Sequence, residues 1–258
     1  NTETYEDDLL NALPSGTGPD IFAINNSWTP KYINKIVAAP QDNPSFIDYK
    51  DTFVDVVVDD FTANGLIYGV ALSVDSLALY YNKDLLGTAG IATPPKTWSD
   101  LENDVRRIAR EDQSGYFSRS GVAMGLSENV NRAADILYLL MLQQGVVTWS
   151  ADGINPKFAD TVNYGGVSYT PGREALNFYT SFANPNSPNY TWNSLSDYSI
   201  DSFANGRSAY LYSYSYTAKT LAQKAPNLNF DVTGVPQPTL DNPSVNFANY
   251  FGEVVNKQ

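Results

Sequence analysis

The chain of 258 residues carries 28 acidic and 16 basic side chains, a net charge of −12, which argues against nucleic acid or anionic membrane as partners. It contains neither cysteine nor histidine, so disulfides, thiol chemistry, Ser-His-Asp or Cys-His nucleophile systems and His-containing zinc sites are all impossible. Hydrophobic residues make up 43%, enough for packed cores; the length favours two lobes over one, and no apolar run is long enough to span a bilayer. Charged residues are only 17% while 18 tyrosines dominate the aromatics, a composition suited to hydrogen bonding and flat stacking. No basic-then-apolar leader opens the sequence, so any secretion signal is expected to have been removed or to lie outside it.

The first predicted element is a helix over Thr4–Leu13, with Tyr5, Leu9, Leu10 and Leu13 on one face, stopped by Pro14 and the turn cluster Ser15–Pro19. Asp20–Ile24 reads as a short buried strand, followed at once by Asn25, Asn26, Ser27 and Trp28; strand ends in α/β sheets are where ligands gather, although a helix cap with a packed Trp would look the same. Phe46–Phe61 has helical spacing. Gly65–Lys83 is a long apolar run interrupted by Ser73, Asp75 and Ser76, and its pattern predicts a strand buried on both faces. A carboxylate there must be paired, so Asp75 is either a satisfied structural acid or a ligand contact.

Asn82–Gly87 reads as a helical turn, Ile91–Lys96 as a stiff connector, and Thr97–Asp100 as a capping box opening a helix over Leu101–Arg110. Gly121–Leu126 predicts a strand, Ser127–Arg132 a polar turn, and Ala133–Leu142 an apolar helix ended by Gly145. Trp149–Val167 suggests a small hairpin, Pro171–Phe182 a helix, and Asn184–Trp192 a loop. Ser208–Tyr216 alternates strictly, with Tyr210, Tyr212, Tyr214 and Tyr216 on one parity. A short helix over Thr217–Lys224 and strands over Phe230–Val235 and Val245–Val255 complete the α/β pattern.

Glycoside hydrolysis would need two facing carboxylates, for which Asp20, Asp75, Glu128 and Asp197 are the candidates. Asp7-Asp8 and Asp59-Asp60 read as solvated charges rather than metal ligands, and Asp152-Gly153-x-Asn155 lacks the acids of a calcium loop. There is no phosphate-cradling Gly-x-x-x-x-Gly-Lys-Ser/Thr. Aromatic planes (Trp28, Tyr81, Trp149, Trp192, Tyr214, Tyr216) and polar groups (Asn25, Asn26, Asp75, Glu128, Asn129) instead fall at the ends of separate elements. That combination suits a sugar, whose faces stack and whose hydroxyls need paired donors and acceptors.

Several segments in this order resemble the family 1 extracellular solute-binding proteins of ABC importers, the family of maltose-binding protein. They are Ser15–Phe22, Ile67–Asp75 running into Leu79–Leu85 with its Tyr-Asn-Lys-Asp-Leu, Pro94-Pro95-Lys96-Thr97-Trp98, and Phe203–Ala209. The resemblance implies a two-lobed α/β fold of the type II periplasmic-binding kind, incomplete at both ends, whose lobes close on ligand. Lobe 1 is expected over residues 1–76, lobe 2 over 77–231, and a second crossing back to lobe 1 over 232–258. It further implies a ligand-binding set of Asn25, Asn26, Ser27, Trp28, Asp75, Glu128, Asn129, Tyr214, Tyr216 and Tyr250. The function implied is a monomeric, non-enzymatic, extracellular or periplasmic receptor that captures a sugar and delivers it to a membrane ABC permease. Lipid anchoring through a preceding N-terminus is expected, and no cofactor or metal is.

Overall fold

The computed structural model describes residues 4–40, 48–150 and 155–257. The chain divides into two compact units, residues 1–75 with 248–258 and residues 76–247.

Unit 1 begins with α1 (Tyr5–Ala12), which buries Leu9 and leads through the turn to β1 (Ile21–Asn25). Asn26–Trp28 form one turn of 3-10 helix running into α2 (Thr29–Tyr32). The helical spacing over Phe46–Phe61 resolves into α3 (Tyr49–Thr52) and α4 (Asp55–Phe61), separated by the extended residues Phe53 and Val54. Phe46 itself lies outside the described residues. At the break Phe53 packs against the buried Tyr49, ring centroids 4.6 Å apart. The short ribbon β2 (Thr62–Ala63) and β3 (Leu66–Ile67) then feeds β4 (Gly69–Ala71).

The unit's sheet has the order β1-β12-β4, where β12 is Phe251–Val255 from the far end of the chain, antiparallel to both neighbours. Phe61 packs into a slot made by two glycines on adjacent strands. A Cβ on Gly69 would lie 2.6 Å from the Phe61 ring, and one on Gly252 would lie closer still. Only residues without side chains let the ring lie this close to the strands. Phe22, Ile24, Tyr32, Val57 and Val254 complete this core.

The apolar run Gly65–Lys83 is not one strand buried on both faces. It pairs in unit 1 as β4, leaves the sheet with Leu72 and Val74 exposed, and re-enters a sheet in unit 2 as β5 (Ala78–Asn82). A change of sheet, not a buried strand, explains why serines and an acid interrupt its middle.

Unit 2 is built on a five-stranded sheet of order β11 (Phe230–Thr233), β5, β10 (Ser208–Ser213), β7 (Phe117–Val122) and β6 (Arg110–Glu111). Asn82 caps α5 (Lys83–Thr88) by accepting from the N–H groups of Asp84 and Leu85. Thr97 and Asp100 form the expected reciprocal capping box at the start of α6 (Trp98–Ile108). β6 (Arg110–Glu111) and β7 (Phe117–Val122) follow, then α7 (Ala133–Gln143). The hairpin β8 (Val162–Tyr164) and β9 (Val167–Tyr169) turns through Gly165 and Gly166, with φ of 59° and 83°. Positive φ at both central residues is the geometry that matches strand twist and that glycine adopts without strain. α8 (Pro171–Ser181), α9 (Ser199–Ala204), β10 (Ser208–Ser213), α10 (Tyr216–Lys224) and β11 (Phe230–Thr233) complete the unit.

The alternation read over Ser208–Tyr216 does not give one wet and one dry face, because every residue of β10 is buried. It is a central strand covered on both sides. Tyr210 and Tyr212 join the larger core with Trp98, Val105 and Val122, while Leu211 packs with Tyr80, Phe203 and Leu221. The strand also ends at Ser213, and Tyr216 opens a helix.

The second boundary falls at Phe247/Ala248, not at 231/232. β11 is an edge strand of unit 2, antiparallel to β5 from Phe230↔Asn82 to Thr233↔Leu79. Beyond it the Gln237 N–H donates to the Lys96 carbonyl (2.9 Å), and Gln143 Nε2 to the Val245 carbonyl (3.1 Å), holding this segment to the connector before α6 and to α7. Leu77 N donates to Phe247 O (2.9 Å) in unit 2, and Asn249 N to Asp75 O (3.0 Å) in unit 1.

Candidate ligand-binding site

In unit 1 the turn after β1 is a compact hydrogen-bond network. Asn25 Oδ1 accepts from the N–H (3.1 Å) and hydroxyl (2.7 Å) of Ser27, which starts the 3-10 turn, while its Nδ2 donates to Asn249 Oδ1 at 2.9 Å. Asn26 Nδ2 donates to Asp60 at 2.9 Å, and the buried Tyr250 donates its hydroxyl to the same carboxylate at 2.7 Å and to the Val56 carbonyl at 3.0 Å. Burial, reinforced by the bond to Asp60, pushes the Tyr250 phenol well above its ordinary pKa, so it stays a donor. Trp28 is half-buried, stacked on Tyr32 (centroids 5.8 Å apart, 16° between planes) with its ring near-perpendicular to that of Phe251 (6.3 Å, 79°).

The structure therefore brings Asn25, Asn26, Ser27, Trp28 and Tyr250 together around the end of β1, with the Asp75 carbonyl one hydrogen bond away through Asn249. Asp75 itself is half-buried. Asp60, read from sequence as a solvated charge, is instead half-buried and accepts from Asn26 and Tyr250; Asn249, which also joins these residues, carries no signal in sequence beyond being polar.

In unit 2 the expected residues lie at the turn between β7 and α7 and at the end of β10. Glu128 is exposed. Asn129 is fully engaged: Nδ2 donates to the carbonyls of Asn193 (2.9 Å) and Ser196 (3.0 Å), and Oδ1 accepts from the indole of the buried Trp192 (2.8 Å). Its work is to hold the 193–196 loop and Trp192 in place. Tyr214 is 2% exposed and spends its hydroxyl on Asp135 at 2.8 Å, so it is a core residue with a satisfied tip. Tyr216, by contrast, is 49% exposed.

The side chain that organises this patch is Arg132, at the N-terminus of α7. Its guanidinium lies 5.1 Å from the Tyr214 ring centre and 5.7 Å from that of Tyr216, within cation–π range of both. It also donates to the Tyr216 hydroxyl and sits 3.9 Å from Asp135. Burial works to lower its pKa, but the bond to Tyr216, Asp135 and the neighbouring phenols outweigh this and leave it raised. The Nε of Arg132 and the Nδ2 of Asn131 are buried donors without an acceptor among the described residues. Tyr198 donates to Asn131 Oδ1 at 3.0 Å beside them.

Arg132 is the one Lys or Arg between Arg119 and Lys157, and this isolation was its only mark in sequence. Of the other acids considered for catalysis, Asp197 is paired with Arg207 at 2.6 Å. Among the described residues no grouping of acids could hold a metal ion, and no helix is long and apolar enough to cross a membrane. The Asp152-Gly153 part of the calcium-loop motif lies outside the described residues.

Comparison with known proteins places this geometry in context. Residues 1–257 match the profile of the bacterial extracellular solute-binding protein family. A binding protein of Brucella abortus is 25% identical over 231 residues, covering 88% of this chain and 52% of its own length. The maltodextrin-binding protein MdxE of Bacillus subtilis is 36% identical over 74 residues, 29% of this chain and 16% of that protein. In fold, the chain is similar to the sugar-binding protein MalE of Xanthomonas citri, with a TM-score of 0.75 at 21% identity over 99% of this chain and 62% of that one. The chain thus spans about half the length of the curated Brucella relative it matches. With a family profile matched almost from end to end and the two-unit α/β fold to go with it, this chain belongs to the bacterial extracellular solute-binding proteins.

Proposed function

We propose that the protein is a non-catalytic receptor that captures a sugar or oligosaccharide outside the cell and delivers it to a membrane ABC permease, held at the surface by a lipid anchor. The observation that carries this reading is Tyr216, an exposed ring braced by Arg132, beside a turn rich in hydrogen-bond donors. A flat aromatic face next to fixed polar groups is what a pyranose needs: its C–H face stacks and its hydroxyls find directional partners. Unit 1 carries hydrogen-bonding and aromatic groups of its own in Asn25, Asn26, Ser27 and Trp28, pre-organised by Asp60 and Tyr250. The half-buried Asp75 adds a carboxylate acceptor for sugar hydroxyls. Likeness to maltodextrin- and sugar-binding proteins supports the sugar class.

Calorimetric titration of the whole protein with a panel of malto-, arabino- and other oligosaccharides tests the proposal. Binding of at least one sugar, weakened by Tyr216→Ala, is expected, with no change in the sugar on long incubation. Release of cleaved sugar would instead indicate a hydrolase.

A further inference from the structure

A cavity of about 490 Å³ opens on unit 2 between the Gly90–Lys96 connector and α6. It shares no lining residue with the Arg132–Tyr216 patch. Its wall includes Asp104, which is only 7% exposed. Tyr210 donates to Asp104 Oδ2 at 2.6 Å, the one hydrogen bond this carboxylate receives among the described residues. No ion pair joins it to a basic side chain among those residues either.

A carboxylate this far from water is stable only when donors or a cation compensate its charge. One phenol leaves Oδ1 without a donor; burial raises the carboxyl's pKa, and the Tyr210 bond and the nearby Arg107 charge offset that only in part. On the same wall stands the exposed Arg107. Its Nη2 donates to the carbonyls of Ala89 (2.7 Å) and Gly90 (3.1 Å), which fixes the guanidinium while its other N–H groups remain without a protein acceptor among the described residues.

The remaining charges on the wall are Lys96 and Asp100, so cations and carboxylates balance. A lone cation on Asp104 would face Arg107 and Lys96, and a lone anion on Arg107 would face Asp104 and Asp100. No aromatic ring lines the cavity, so it lacks the stacking face a sugar uses. We propose that this cavity is a second small-molecule site, taking a zwitterion of the amino-acid class with its ammonium on Asp104 and its carboxylate on Arg107. The site is independent of the sugar reading.

Saturation-transfer NMR of the intact protein with each proteinogenic L-amino acid, and with the N-acetylated form that lacks the ammonium, tests it. At least one amino acid should show transfer and its N-acetyl form should not. Asp104→Asn, which keeps an acceptor for Tyr210, and Arg107→Gln, at an exposed position, should each weaken binding by about tenfold or more, with unchanged circular dichroism. Absence of transfer from every amino acid, equal transfer from the N-acetyl form, or undiminished binding to folded Arg107→Gln protein would overturn the proposal.

Discussion

The two tyrosines nearest to Arg132 show how little a residue type says without its surroundings. Tyr214 and Tyr216 lie two apart on what reads as one tyrosine face, yet Tyr214 is 2% exposed and Tyr216 49%. The difference arises because β10 stops at Ser213 and Tyr216 begins a helix, which breaks the alternation between them. Their substitutions should therefore separate. Tyr214→Phe removes a buried hydrogen bond to Asp135 and should cost about 1 kcal/mol of stability, read by urea unfolding. Tyr216→Ala should leave stability nearly unchanged and weaken sugar binding by about tenfold, roughly 1.4 kcal/mol, of the size of one lost stacking contact. Equal effects of the pair on stability would contradict this assignment. Residue identities alone could not have found Arg132, because its importance lies in what the fold sets beside it.

At the scale of elements, local chemistry was legible wherever it is self-contained. The Thr97–Asp100 capping box is written in four neighbouring residues and forms, and the helical turn read over Asn82–Gly87 forms as α5. The hairpin expected over Trp149–Val167 is found at the far end of that stretch, turning through Gly165-Gly166 and running on to Tyr169. Expectations failed where a partner from elsewhere decides the outcome. Gly65–Lys83 is split between two sheets because β12 claims its first part while β10 and β11 claim its last. The Tyr stripe of β10 is dry because helices from distant sequence cover it. The same logic yields a test at Gly252, whose partner is Phe61, nearly 200 positions away along the chain. Gly252→Ala would drive a methyl group into that ring, an overpacking change expected to destabilise by roughly 1–3 kcal/mol. Phe61→Leu, which shortens the intruding ring, should restore part of that loss, and additive effects in the double variant would show the slot is not the cause.

For the whole molecule, the family and the division into two units were readable from ordered motifs, whereas the second boundary was not, because nothing local marks β11 as belonging to unit 2's sheet rather than to a crossing. The abundance of buried tyrosine has a consequence for stability. Burial pushes the phenols of both Tyr32 and Tyr49 from 10.0 up to about 12, Glu6 adding to the effect on Tyr32. The folded state holds these protons more tightly than the unfolded chain, so their contribution is complete below about pH 10 and is lost as pH rises through about 12. The melting temperature should fall across that window, tracked by circular dichroism, and replacing both residues by Phe should make the decline shallower, the raised phenols of Tyr179, Tyr210, Tyr212 and Tyr250 supplying the rest. An unaltered slope in the double Phe variant would show that other groups set the alkaline limit.

Binding remains the decisive property, and calorimetric titration of the intact protein with an oligosaccharide panel measures it most directly. The account predicts saturable binding of at least one sugar, left chemically unchanged, and lost or weakened about tenfold in Tyr216→Ala. Silence with every sugar, alongside tight binding of a peptide or an inorganic ion, would contradict it.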